Sequence, residues 1–261
     1  MVAAQRQGIR MKLHIGTMGW SYIFWKGNFY PEMLPSKKLL AYYSRQFNTV
    51  EVNSTFYRIP LKQTIVDWYE QTPSEFLFSL KFPRIITHIK MLEKCQEETS
   101  LFLERVKLLK EKLGVLLLQF PYKFGNEKVT VLHEFLKRLP KDLRYAVEIR
   151  NRKLLNENLY SILSENDVAL TWEDTPFMPI IDKVTSDFFY LRWKGDRRQV
   201  EGIMGKVEVN KYEKTRLWAD KVKPFLDKQT EIFGYFSKYY SGHPPSDVYE
   251  FLKIINEGKQ N

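Results

Sequence analysis

Short apolar runs that turn polar at their C-terminal end recur along this 261-residue chain, and they restrict its fold more than any other feature. In residues 145–150, period-two alternation places Glu148 and Arg150 on the face opposite Val147 and Ile149. Burying an unpaired charge costs several kcal/mol. Such strand ends are therefore expected to meet at a solvated or ligand-filled site.

Other apolar runs end in the same way. The polar residues near their C-terminal ends are Glu51, Asn53, Ser79, Lys81, Gln119, Arg192 and Lys194. Strands that all turn polar at one end are typical of a parallel barrel whose mouth holds the functional site.

Strand-like runs also alternate with helical runs over almost the whole length. The predicted strands lie at 13–15, 49–53, 76–81, 115–119, 144–150, 168–172, 188–193 and 231–236, and most are followed by apolar residues at helical spacing. Pro176 and Pro179 interrupt the segment after the sixth strand, so its helix is expected to be weak or irregular. Eight such units in a chain of this length predict a TIM-like (β/α)8 barrel of the α/β class. An open doubly wound sheet is the rival fold, but no G-x-G-x-x-G follows the first strand.

Composition limits the domain organisation and the partners. Residues 1–10 are predicted to be a loose N-terminal extension and 11–261 a single domain, because no linker divides the chain. The net charge of +10 and pI near 9.4 favour anionic partners, although ordinary solubility explains them as well. A lone cysteine, Cys95, and the lack of any apolar stretch of membrane length favour a cytoplasmic location without disulfides. The oligomeric state is not predicted.

Several strings in the chain are similar to one known family. They are Gly16-Thr17-Met18-Gly19-Trp20-Ser21-Tyr22, Phe29-Tyr30-Pro31, Val50-Glu51-Val52-Asn53-Ser54-Thr55-Phe56-Tyr57, Ile86-Thr87-His88, Gln119-Phe120-Pro121 and Glu148-Ile149-Arg150. They resemble the YecE-like proteins, called domain of unknown function 72, over nearly the whole chain from Met11. The resemblance implies a TIM-like barrel and brings no established activity.

The chain departs from that family pattern at two places. Lys194 stands where the family usually has a histidine in an Arg-x-His-Gly string, and Ser237 and Lys238 stand where a paired asparagine is common. A histidine can shuttle protons near neutral pH, whereas an unshifted lysine stays charged. A mechanism that relies on those family positions is therefore not expected here.

Glu51 and Glu148 are the predicted catalytic residues, because a carboxylate desolvated at a barrel mouth can have its proton affinity tuned by its neighbours. The alternative is purely structural, with each carboxylate held in an ion pair, for example Glu148 with Arg192 or Lys81. Sequence alone leaves both interpretations open.

Basic residues outnumber those acids at the predicted mouth, which favours an anionic ligand held by arginine forks and lysines. Charge balance against neighbouring acids is the alternative. The predicted substrate-binding residues are Trp20, Asn53, Tyr57, Lys81, His88, Gln119, Arg150, Asp174, Arg192, Lys194 and Lys238.

No metal site or cofactor is predicted. The four histidines and Cys95 show no metal-ligand spacing. A magnesium ion held by Glu148 and Glu173 together with a substrate phosphate would leave almost no trace in a sequence, so that possibility stays open.

The leading functional hypothesis is an enzyme that acts on a small anionic substrate, a phosphorylated sugar or nucleotide-like molecule, by carboxylate acid/base chemistry. Hydrolase, lyase and isomerase reactions all fit it. The second hypothesis is a nucleic-acid-binding protein, nuclease-like or repair-related, that uses its basic loops and the aromatic segment around Trp20, Tyr22 and Trp25. A third is a barrel whose polar mouth is only structural.

Overall fold

The computed structural model describes residues 12–200, 203 and 205–257. The predicted N-terminal extension, residues 1–10, lies outside them. Nine strands occur in these ranges: β1 (Leu13–Thr17), β2 (Thr49–Val52), β3 (Leu77–Lys81), β4 (Leu113–Gln119), β5 (Arg144–Glu148), β6 (Ala169–Leu170), β7 (Trp172–Asp174), β8 (Phe188–Trp193) and β9 (Glu231–Phe236).

The strands form two parallel sheets, which confirms the α/β class. One sheet has the order β1-β9-β8-β7 and the other the order β2-β3-β4-β5-β6. At one boundary between them, a parallel bridge joins Met18, just after β1, to Glu51 of β2. At the other boundary Thr171 separates β6 from β7, and its backbone N–H donates to the Val147 carbonyl at 2.9 Å. The predicted sixth strand is thus divided between the two sheets.

Seven α-helices occur among the described residues, and they follow the strands in the predicted order. They are α1 (Leu39–Gln46), α2 (Lys62–Glu70), α3 (Gln96–Val106), α4 (Val129–Arg138), α5 (Glu157–Glu165), α6 (Tyr212–Asp227) and α7 (Pro244–Glu257). Residues 175–187, between β7 and β8, where the prolines predicted a weak or irregular helix, form no helix. None of the helices in the described part of the chain has the length and apolar character needed to cross a bilayer.

Alternation along the strands produces two groups of buried apolar side chains. Residues such as Leu116 and Val147 belong to the larger group, which includes the inward faces of the helices. The smaller group is formed by residues of the opposite phase, and strands of both sheets contribute to it: Leu77, Val115, Leu117, Ala146, Ala169, Phe188, Tyr190, Phe233 and Tyr235, together with Met18. Arg192 follows Tyr190 at the same phase of β8, so the chain places a charge directly beyond this inner group.

Candidate functional site

Arg192 is the centre of a buried cluster of charges at the carboxyl ends of the strands. Its Nε donates to Glu51 Oε2 at 2.9 Å and its Nη2 donates to Glu51 Oε1 at 2.8 Å. Its Nη1 donates to Glu148 Oε2. The two predicted catalytic carboxylates, from different strands, therefore share one guanidinium.

Glu51 is held by further donors besides Arg192. The Tyr190 hydroxyl donates to Oε2 at 2.9 Å, and Asn53 Nδ2 donates to Oε1 at 2.8 Å. Both oxygens of this fully buried carboxylate are thus occupied by protein groups. Such saturation is typical of a structural anion and leaves little room for a substrate proton.

Glu148 is fully buried and surrounded by cations. Lys194 Nζ donates to its Oε1 at 3.0 Å, and Arg150 Nε lies 3.6 Å from the same oxygen. Burial alone would raise the pKa of Glu148, but Lys194 and Arg192 hold it well below its usual range. Glu148 is therefore ionised at neutral pH and does not serve there as a proton donor.

Glu173 joins the cluster through Lys194, whose Nζ donates to Glu173 Oε2 at 2.6 Å. Burial, and secondly the Glu148 charge, raise the pKa of Glu173 to about 7. A void of about 10 Å³ touches Glu173, and its walls are mostly apolar: Ile149, Leu155, Leu170, Met178, Pro179 and Ile181. A carboxyl group with apolar walls on one side and a pKa near 7 can give or take a proton at neutral pH.

Sequence reasoning selected Asp174 for the site, but the structure brings in its neighbour Glu173. Asp174 Oδ2 accepts from Trp218 Nε1 at 2.8 Å, and its other oxygen accepts from Lys214 on α6, away from Arg192. The strand register pairs Glu173 with Arg192. The sequence would have identified Glu173 if the pairing of this short strand with β8 had been known, because that pairing decides which of its side chains lies beside Arg192.

Lys81 is the second group whose pKa lies near neutrality. Its Nζ donates to Gln119 Oε1 and lies 4.0 Å from the centroid of the Phe56 ring. Burial, and secondly the Arg192 charge, lower the pKa of Lys81 to about 7. His88 packs edge-on against Phe56 at 4.9 Å, and burial together with Lys81 lowers its pKa to about 4. His88 is therefore neutral at pH 7.

Three other predicted binding residues lie at different depths around the cluster. The Trp20 ring is half-buried and packs against Trp68 at 5.5 Å. Tyr57 is 81 % exposed, and Lys238 Nζ lies 5.6 Å from the centroid of the Tyr22 ring.

The aromatic segment that follows β1 packs into the protein. Trp25 is fully buried, Tyr22 packs against it at 4.8 Å, and the Tyr22 hydroxyl donates to the Met18 carbonyl at 2.7 Å. Trp25 is therefore not available to stack on a ligand. The packing role is the one that the structure supports for this segment.

Within the described ranges, no three His, Cys, Asp or Glu side chains form a group that could hold a metal ion. Glu148 and Glu173, the pair considered for magnesium, are bridged by the Lys194 ammonium group. An ion between these two carboxylates would have to displace Lys194.

A cavity of about 650 Å³ lies at the other end of the strands. Its lining includes Lys12 and Leu13 at the start of β1, and Phe76, which precedes β3. None of the residues of the charged cluster lines it. Because the ligand sites of parallel α/β sheets lie at the carboxyl ends of the strands, this cavity is not the candidate site.

Comparison with known proteins identifies the family. The model for a protein family described as "Protein of unknown function DUF72" matches residues 14–261. The chain belongs to this family. The predicted YecE-like relationship is therefore confirmed.

Two curated DUF72 relatives match part of the chain. It is similar to the UPF0759 protein YecE of Escherichia coli, with 34% identity over 139 residues, which cover 53% of this chain and 48% of that protein. It is also similar to the UPF0759 protein YunF of Bacillus subtilis, with 28% identity over 155 residues, or 57% of this chain and 54% of that one. The chain thus spans about half the length of the curated relatives it matches.

Two solved DUF72 structures are similar over a greater length. A protein from Thermotoga maritima has a TM-score of 0.79 and 26% identity, with 94% of this chain and 99% of that chain covered. A protein from Enterococcus faecalis has a TM-score of 0.71 and 22% identity, covering 94% and 97%, and this likeness shows the fold alone. These names state no substrate and no reaction.

Proposed function

We propose that this DUF72 protein is an enzyme that binds a small anionic substrate, a phosphorylated sugar or nucleotide-like molecule, and transfers protons to and from it. The observation that carries this proposal is the presence of Lys81 and Glu173, each with a pKa near 7, in one buried cluster around Arg192. Groups poised at neutral pH in a cluster of opposite charges are typical of acid/base sites.

The proposal includes a closed barrel. We take the two parallel sheets as one TIM-like (β/α)8 barrel formed by a single domain over residues 11–261. The Met18–Glu51 bridge at one sheet boundary, the shared segment around Thr171 at the other, and the inner apolar group with members from both sheets support this assignment. The charged cluster then lies at the barrel mouth, where the enzymes of this fold carry their chemistry.

Charge supports an anionic substrate. The side chains of Lys81, Arg150, Arg192 and Lys194 meet three carboxylates, and Arg150 is 48 % exposed with Glu148 at 3.6 Å. Its guanidinium keeps donors free for a ligand, and forks of this kind bind phosphate or carboxylate in a bidentate manner. Arg150 is the proposed anion contact, whereas Arg192, Glu51 and Glu148 form the fixed frame.

Proton transfer is assigned to Lys81 and Glu173 instead of the sequence-predicted Glu51 and Glu148. In the neutral form the Lys81 amine accepts a proton from a substrate carbon, and the neutral Glu173 carboxyl gives its proton to a substrate oxygen. Both proton movements balance without an added reactant. Isomerase and lyase reactions need only such transfers, so they fit this pair better than hydrolysis does.

A thermal-shift screen against sugar phosphates, nucleotides and uncharged sugars tests the binding step. A ligand at about 100 times its dissociation constant adds about 2.7 kcal/mol, which raises the melting temperature by a few degrees in a chain of this size. Each stabilising anion is then incubated in D₂O, and deuterium entry into the recovered compound is measured by NMR. The variants are Lys81→Met, Glu173→Gln and Arg150→Met. Lys137→Met and Glu134→Gln are matched controls, because this exposed ion pair lies on the surface of α4.

We expect one class of anion to bind, with weaker binding in Arg150→Met and loss of deuterium entry in Lys81→Met. The two α4 controls should behave as the natural protein does. If every anion leaves the melting temperature unchanged, or if Lys81→Met exchanges deuterium at the natural rate, the proposed function is wrong.

A further inference from the structure

Large aromatic side chains project into solvent from three different loops at the carboxyl ends of the strands. Tyr57 follows β2 and is 81 % exposed, Tyr122 follows β4 and is 72 % exposed, and Phe177 follows β7 and is 61 % exposed. Aromatic residues carry much of a protein's apolar area and are usually covered. Three exposed rings at one end of the molecule are suited to a ligand whose flat faces stack on them.

Each of these aromatic residues has a cation beside it. Exposed Arg58 follows Tyr57, and exposed Lys123 follows Tyr122. The Arg198 guanidinium lies 5.3 Å from the centroid of the Phe177 ring, and it is paired with Asp196, with Nη2 to Oδ2 at 2.7 Å. We call these six residues the rim: Tyr57, Arg58, Tyr122, Lys123, Phe177 and Arg198.

The rim is continuous with the charged cluster. The Tyr57 and Phe56 rings contact each other at a centroid distance of 5.3 Å, and Lys81 Nζ lies 4.0 Å from the centroid of Phe56. The loop segments 53–61 and 149–156 contain Arg58, Arg150, Arg152 and Lys153 but no acidic residue. A chain of negative charges that passes from Tyr57 to the site therefore meets cations, whereas the Arg198 end of the rim also carries Asp196.

We propose that the rim binds single-stranded nucleic acid, with bases stacked on Tyr57, Tyr122 and Phe177 and phosphates held by Arg58 and Lys123. Stacking platforms separated by basic side chains are how proteins bind single strands without reading their sequence. A duplex keeps its bases stacked on one another and offers no free faces to isolated rings. An anionic lipid surface also accepts aromatic side chains and cations, so vesicles are included as competitors in the test.

This inference goes beyond the proposed function and does not depend on it. The rim residues lie outside the Lys81–Glu173 pair, so binding of a strand requires no proton transfer. A small phosphorylated substrate and a strand share only the phosphate group.

Fluorescence anisotropy with a labelled 20-mer of deoxythymidine tests the proposal at low and at high salt. The variants are Tyr57→Ala, Tyr122→Ala, Arg58→Met and Lys123→Met. Leu217→Ala is the control for an exposed apolar side chain on the outer surface of α6, and Lys137→Met is the control for an exposed cation on α4. The unlabelled competitors are the same sequence as a duplex with its complement, and vesicles that contain anionic lipid.

We expect the strand to bind, with each aromatic truncation weakening the affinity by about 5- to 100-fold. Arg58→Met and Lys123→Met should each reduce the slope of log affinity against log salt by about one. The controls should leave the affinity unchanged. Thermal shifts caused by small anions should persist in Tyr122→Ala, which separates this test from that of the proposed function.

The proposal is overturned if the strand does not bind at low salt, or if the aromatic variants bind as tightly as Leu217→Ala does. It is also overturned if the duplex or the anionic vesicles compete better than the unlabelled single strand. Truncating an exposed ring removes little packing, so these variants are expected to fold as the natural protein does. Far-UV circular dichroism of each variant checks this.

Discussion

Arg192 and Glu51 form a bidentate ion pair inside the protein, with Nε to Oε2 at 2.9 Å and Nη2 to Oε1 at 2.8 Å. The two residues come from strands of different sheets, β8 and β2. The third nitrogen of the same guanidinium donates to Glu148 of β5. One side chain therefore ties three strands together at the end where the site lies.

Replacing Arg192 by methionine is expected to lower the free energy of unfolding by about 3–5 kcal/mol, because two buried carboxylates would lose their common cation. Urea denaturation measures this loss. The triple variant Arg192→Met, Glu51→Gln, Glu148→Gln should recover part of it, since it also removes the stranded charges. Arg198→Met is the control, because the Arg198 side chain is 70 % exposed and a solvent-exposed cation contributes little to stability. Equal losses of unfolding free energy in Arg192→Met and Arg198→Met would show that burial of the Arg192 ion pairs does not increase their contribution to stability.

The sequence was sufficient to predict the order of elements and most of the charged cluster, because both depend on local patterns. Period-two alternation brings Glu51, Glu148, Arg192 and Lys194 to one place without any knowledge of contacts. Pro176 and Pro179 likewise predicted a weak or irregular helix after the sixth strand, and no helix forms there. The phase of Asp174 and Glu173 could not be predicted, because a three-residue strand has too little pattern to fix it.

The proton affinities could not be read from the sequence for a different reason. The pKa of Glu148 depends on burial and on cations from two other segments of the chain, and the pKa of Glu173 depends on burial and on Glu148 itself. Each pKa therefore depends on the distances between charged groups on different strands. The alternation along one strand predicts which side chains reach the site. It does not predict which of them holds a proton at pH 7.

Glu173→Gln is expected to change how stability depends on pH between about 4.5 and 7. The folded-state pKa of Glu173 is raised from 4.5 to about 7, so in this interval the folded protein holds a proton that the unfolded chain releases. The stability from this group is fully present below pH 4.5 and is lost as the pH rises to 7. Through this group the natural protein should lose about 3 kcal/mol of unfolding free energy as the pH rises from 4.5 to 7. Glu173→Gln should not show this loss.

Urea midpoints at several pH values measure this difference between the natural protein and Glu173→Gln. Glu134→Gln is the matched control, because that glutamate is exposed and its pKa is lowered, so it titrates below the interval. Parallel stability curves for the natural protein and Glu173→Gln would contradict the raised pKa.

Lys81 is expected to titrate near pH 7 instead of near 10.5, because burial and then the Arg192 charge lower its pKa. Side-chain NMR of the lysine Cε and its protons follows the titration directly, and Lys81→Met assigns the signal. Arg150 also lowers the pKa of Lys81, so Arg150→Met should move the midpoint to higher pH. At pH 8 about nine in ten Lys81 amines should be neutral. A midpoint above pH 9 in the natural protein would remove Lys81 as a candidate base.

The pH dependence of stability gives an independent check on the same lysine. Between about pH 7 and 10.5 the unfolded chain binds a proton at Lys81 that the folded protein has released. Stability from this group therefore rises with pH across that interval. Lys81→Met should flatten the rise, whereas Lys137→Met on the surface of α4 should preserve it.

Gly16→Ala is expected to destabilise the protein by about 1–3 kcal/mol, because it overfills the place where the two sheets approach each other. A Cβ built on Gly16 of β1 would lie 2.1 Å from the carbonyl oxygen of Thr49 in β2, and a backbone atom cannot rotate away. Gly125→Ala is the matched control, since the atom that its Cβ would meet is the flexible end of Glu127. Thermal and urea unfolding of both variants measure the difference. Equal stability of the two variants would mean that β1 and β2 tolerate separation, and the proposed closure of the barrel at this boundary would lose its support.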